Sequence, residues 1–250
     1  MLNSAKMPVM KRTSTVVDSL AGSLTGPARR GLTPALQGAG ADTVDARSPR
    51  SPAAAHRSFD PRLVGELECT AWVAYYRRDW LAFLRAGLRV GRHAFGLSWK
   101  STIQCAWLIL RANQLWAPAP DNHPERSQRM MERFYRIVQR LYDDPFDPAT
   151  AAELEVQWWR VHRDAQRSAT PNEGPALADA LARLYSHVYG VAEESVRPAA
   201  EERALAMRLS DRWVSEGCHP QSTLINQERA ALVRSYAALL VAVGRGEDRR

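Results

Sequence analysis

From Asp60 to Val243 the chain is a succession of apolar runs with helical period, each bounded by capping or breaking residues, and no run alternates as a half-buried strand does. Asp60-Pro61 and Asp147-Pro148 each place a capping carboxylate before a proline, whose fixed φ and missing N–H suit the first helical turn. Ser98 caps a further run, Trp99–Trp116, which Pro118-Ala119-Pro120 ends. The turn Asp121-Asn122-His123 with Pro124 opens another, reaching Leu141. Later runs cover Pro175–Tyr189, stopped by Gly190, then Pro198–Glu216, stopped by Gly217, and finally Leu224–Val243. The first run, from Pro61 to Gly91, reads as a single long helix.

These signals predict an all-α, single-domain bundle of about seven helices, with short connections that pack neighbours antiparallel. The helical domain is expected over residues 59–244. Residues 1–58 are rich in Gly, Pro, Ser, Ala and Arg without a period and read as a disordered basic extension, and 245–250 as a disordered tail.

The formal charge of +7 is unevenly placed. Residues 1–58 carry eight Lys/Arg against three Asp, which leaves the helical region almost neutral. A broad nucleic-acid-binding face is therefore not expected, except through the N-terminal extension. Only Lys6, Lys11 and Lys100 are lysines, so the arginine abundance reflects base composition more than phosphate recognition. Cys69, Cys105 and Cys218 are few and far apart, fitting neither a disulfide framework nor a cysteine zinc site, and a reducing cytoplasm is the expected compartment. No run approaches the ~18 apolar residues of a spanning helix, so no membrane role is expected.

The residues that most suggest a site lie in Ala151–Gln166. At 100° per residue, Ala151, Leu154, Trp158, Val161 and Ala165 form an apolar stripe, with Glu155, Trp159 and His162 at its edge. On the first run, Glu66 and Arg77 fall inside the apolar arc. Charges on an apolar face must be paired, so Glu66, Arg77, Glu155 and His162 are expected to form an interior network, either a structural clasp or a catalytic centre. In the catalytic version His162 is the general acid/base, Glu155 or Glu66 orients it and Arg77 holds an anion. Trp159, Tyr185 and His187 are the candidates for binding an apolar or planar ligand.

Metal binding is not expected. Glu155 and His162 are seven residues apart, a rise of ~10.5 Å, whereas helical di-metal sites set Glu and His three apart. No spacing names a cofactor, although a single histidine holding haem is compatible with it. Asp143-Asp144-Pro145-Phe146-Asp147 matches the DDxxD pattern with which helical prenyl-diphosphate enzymes hold magnesium. The resemblance covers these residues alone; Pro145 interrupts the helix such a motif needs, no second acidic motif follows, and Asp147 reads as a helix cap. Phosphate-loop, dinucleotide, HExxH and CxxC signatures are absent. The sequence thus points to a helical module that binds a small apolar ligand or a protein partner, with an enzyme built on the interior cluster as the competing reading.

Overall fold

The computed structural model describes residues 57–118, 120–167 and 174–247, and within them there are eight α-helices and no strand. The expected extension and tail fall largely outside the described residues. Within them, Arg57 is already anchored, its Nη2 donating to Asp144 Oδ1 at 3.2 Å and to the Tyr189 carbonyl at 3.0 Å. The last helix runs to Glu247, past the expected boundary at 244.

Helix α1 spans Pro61–Tyr76, and Asp60 caps it as expected, accepting from the N–H groups of Arg62 and Leu63. The single long first helix is not found. The chain breaks at Arg77–Asp79, where Arg78 adopts a left-handed φ of 62° and Asp79 accepts from the Ala82 N–H to cap α2, Trp80–Phe95. This split makes eight helices of the expected seven. Helix α3 is Trp99–Trp116, capped by Ser98, and α4 is Pro124–Tyr142.

The acidic pentapeptide is used structurally. Asp143 ends α4 in the left-handed region at φ 53°, Asp144 is buried against Arg57, and Asp147 accepts from the N–H and hydroxyl of Thr150 to open α5, Pro148–Arg167. Helix α6 is Gly174–Tyr189, ended by Gly190 at φ 63°. Helix α7, Glu193–Ser215, begins before Pro198, which lies inside it. Glu193 and Glu194 occupy its first turn, where acidic side chains complement the free N–H groups, so the helix starts there and the proline forgoes one bond. Helix α8 is Thr223–Glu247.

Each helix packs on its neighbours in the chain, and α8 returns to pack on α1 as well as α7, closing the series. The closure depends on Gly65: a Cβ there would lie 2.8–2.9 Å from the backbone and side chain of Val233, so only glycine lets α1 and α8 approach. The main core gathers aromatic and aliphatic side chains from all eight helices, including Val64, Ala94, Phe134, Tyr135, Trp159, Leu181 and Met207. A second cluster joins α1, α7 and α8 around Cys69, Leu232 and the fully buried Trp213. Among the described residues no helix is long and apolar enough to cross a membrane.

Candidate functional site

The polar residues brought together inside the bundle differ in part from those the sequence suggests. Glu68, on the buried face of α1, receives both guanidinium nitrogens of Arg203 from α7, at 2.9 and 2.5 Å. The Tyr236 hydroxyl of α8 donates to Glu68 Oε2 at 2.6 Å, and the Arg203 guanidinium lies 6.0 Å from the Trp72 ring centroid. Burial alone would lower the Arg203 pKa, but the charge and hydrogen bond of Glu68, together with Tyr185 and Tyr236, outweigh burial and raise it.

A second part of the interior network centres on Glu155 of α5. Its oxygens accept from the Tyr135 hydroxyl of α4 at 2.7 Å and from Trp159 Nε1 at 3.2 Å. Burial raises the Glu155 pKa, opposed by the Tyr135 hydrogen bond and the charge of Arg203. Tyr185 of α6 is held protonated mainly by burial, among the charges of Arg203, Glu68 and Glu155.

The other sequence candidates lie elsewhere. Glu66 is half-exposed and pairs with Arg62 at 2.9 Å along one helix face, and Arg77 is exposed beyond the end of α1. Neither joins Glu155, because the true end of α1 removes the continuous arc that placed them inward. His162 Nε2 meets Asp211 Oδ2 of α7 at 2.9 Å, while Gln166 donates to the other Asp211 oxygen at 2.8 Å. His187 Nε2 donates to the Asp147 carbonyl at 2.9 Å, tying α6 to the start of α5. Only Glu155, Trp159 and Tyr185 of the expected set belong to the interior network.

Glu68, Arg203, Tyr236 and Tyr135 were missed. A signal existed for two of them: Val64, Leu67, Glu68 and Ala71 share one stripe, as do Val196, Ala199, Ala200, Arg203 and Met207. A charged residue on each stripe is the mark of a buried pair.

Chemically the network is self-consuming. Arg203 spends its fork on Glu68, the phenols of Tyr135, Tyr185 and Tyr236 are pushed up, and burial pushes the Cys69 thiol to about 12 and Cys105 to about 11. No serine, threonine or cysteine among the described residues is hydrogen-bonded to His162. No group of three His, Cys, Asp or Glu side chains among the described residues is placed to hold a metal. A surface depression of about 370 Å³, lined by Trp213, Glu216, His219 and Ser222 among others, includes none of the sequence candidates.

The exposed apolar side chains of α2 and α3 are different in kind. Leu81, Leu84, Trp99, Ile103, Trp107 and Ile109 are all exposed, with Leu81 at 60%, Trp99 at 58% and Ile103 at 54%. Trp99, Ile103 and Trp107 recur every fourth residue, so they form one row along α3. The Arg92 guanidinium covers the Trp99 ring at 4.3 Å. Residues 80–120 hold Arg85, Arg89, Arg92, Lys100 and Arg111 and no Asp or Glu, so this apolar face is also cationic.

Comparison with known proteins found no matching family model, no matching curated protein and no matching solved structure.

Proposed function

We propose that this chain is a non-catalytic helical module of a reducing, cytoplasmic compartment that binds a protein partner through α2 and α3. The observation that carries the reading is the row Trp99, Ile103 and Trp107 along α3, with Leu81 and Leu84 likewise exposed on α2, large apolar side chains left in water. Scattered exposed apolar residues need no explanation, but a row rimmed by polar groups marks an interaction site. The interior supports the same reading from the other side. Arg203 and Glu68 are occupied by each other, and Glu155 is occupied by Tyr135 and Trp159, the arrangement of a clasp rather than of groups waiting for substrate.

The test is site-specific photocrosslinking in the producing cells, with p-benzoylphenylalanine at Ile103 and, as control, at exposed Glu153 on α5. A discrete protein adduct at position 103 and not at 153 is expected. A lipid adduct, or an adduct pattern identical at the two positions, overturns the reading.

A further inference from the structure

We propose that α2 and α3 form an apolar groove for an amphipathic helix with acidic flanks, supplied by another protein; this rests on the partner-binding reading above. The two helices approach closely at their connecting turn, where a Cβ on Gly91 would lie 3.3 Å from Thr102 Cγ2 and Arg92 covers Trp99. On α2 the face that contains Gly91 and Phe95 continues away from the turn as Leu88, Leu84 and Leu81, at spacings of three and four. On α3 the face that contains Thr102 continues as Ala106, Ile109 and Leu110, with Ile103 and Trp107 at its outer edge.

These facing stripes ought to bury each other if the helices stayed in contact. They do not: Leu81, Leu84, Ile103 and Ile109 are exposed, and α2 and α3 share the smallest interface of any helix pair adjacent in the chain. Each helix is committed instead to its other neighbour, α2 to α1 and α3 to α4. The pair therefore diverges from the turn and leaves an apolar angle between its arms. The exposed members run from Leu81 to Leu84 on α2 and from Ile103 to Ile109 on α3, ~5 and ~10 Å along the helix axes, matched by a visiting helix of about two turns.

Charge selects the occupant. Arg85 and Arg89 follow the Leu81/Leu88 row around α2, and Lys100 and Arg111 lie on α3, with no carboxylate anywhere in 80–120. A second copy would set this cationic face against itself. The chain's own residues 1–58, with eight Lys/Arg against three Asp, carry the same sign. Nucleic acid matches the charge and could stack on Trp99 and Trp107, but it would leave the aliphatic side chains Leu81, Leu84, Ile103 and Ile109 uncovered. An anionic bilayer matches the charge but presents a plane, whereas these stripes face each other across an angle. An acidic amphipathic helix satisfies both the apolar angle and its basic rim.

The experiment measures binding of fluorescein-labelled peptides to the full chain by anisotropy. The probe is a capped 16-residue helix with Leu at i, i+3, i+4 and i+7 spacing and Glu elsewhere, beside a counterpart with Lys in place of Glu. The Glu peptide is expected to bind at least ~10-fold more tightly than the Lys peptide, and more weakly as salt rises from 50 to 500 mM. Ile103→Glu is expected to weaken it at least ~10-fold, with helicity by circular dichroism unchanged because the position is exposed. Arg85→Glu/Arg89→Glu is expected to reverse the preference toward the Lys peptide, a result that does not depend on Ile103→Glu folding.

Equal binding of the two peptides, or no reversal in the double variant, overturns the proposal. So does a homodimer in sedimentation that Ile103→Glu dissociates, or tighter binding to phosphatidylcholine/phosphatidylglycerol vesicles or to a 16-nucleotide single strand than to the Glu peptide. A specific protein adduct at position 103 alongside failed peptide preference sinks the acidic-helix inference alone; absence of any such adduct sinks the partner-binding reading itself.

Discussion

A Cβ on Gly65 would fall 2.8 Å from the backbone nitrogen of Val233, so the junction between the first and last helices is set by the absence of one methyl group. Nothing flexible lies in the way to yield, since the contact is with main chain as well as side chain. Gly65→Ala is therefore expected to force α1 and α8 apart and to cost about 1–3 kcal/mol or more, the scale of overpacking. Gly87, within α2, has nothing within 4 Å of the position its Cβ would take. There alanine only removes backbone entropy from the unfolded chain, so Gly87→Ala is expected to stabilise by about 0.5–1 kcal/mol. Urea melts of the two variants should move in opposite directions; shifts of the same sign would mean that the α1–α8 approach does not limit stability.

The Glu68–Arg203 pair tests whether the interior network is a clasp. Removing one partner leaves a buried charge, so Glu68→Ala is expected to destabilise by about 3–5 kcal/mol. Replacing both, as Glu68→Leu with Arg203→Met, removes the desolvation of both charges and is expected to cost much less than the sum of the single changes. Tyr236→Phe loses only the hydroxyl bond to Glu68, about 1 kcal/mol. A double variant as unstable as the sum of the singles would show that the two residues act independently.

The helices were legible because their boundaries are written in local chemistry. Asp60, Ser98 and Asp147 each cap the helix the sequence assigns to them, through bonds to N–H groups two or three residues on. The break at Arg77–Asp79 was not legible, since a left-handed Arg78 carries no glycine or proline to announce it. Without that break the expected inward face is displaced, so that periodicity points to Glu66 and Arg77 as interior residues in place of Glu68. Pro198 misled in the opposite direction, because a proline inside a helix resembles a helix start. Glu155, Trp159 and Tyr185 were found because a correctly bounded helix carries a correctly phased face. What surrounds them comes from other helices, Tyr135 from the preceding α4 and Arg203 from the more distant α7, and periodicity marks a face but not what it meets. The exposed row on α3 escaped for the same reason: apolar residues at helical spacing read as core until the neighbouring helix is seen to diverge.

Glu228 gives the fold a pH dependence of unusual sign. Its side chain is fully buried in α8, beside Ser210 of α7 and Cys69 of α1. Burial pushes its pKa up to about 8, with the charge of Glu68 adding to the rise and Ser210, Arg229 and Cys69 opposing it. A folded pKa above the unfolded value of 4.5 means that the native state holds a proton the unfolded chain releases. Stability from this group is therefore fully present below pH 4.5, falls as pH rises toward 8, and levels off above it, a change on the order of a few kcal/mol. Glu228→Gln keeps the shape of the neutral acid without the titration. In urea melts from pH 5 to 9 the parent is expected to lose stability with rising pH, while the variant stays flatter and is the more stable of the two at pH 9. Parallel profiles for the two proteins would show that Glu228 is ionised in the folded state throughout.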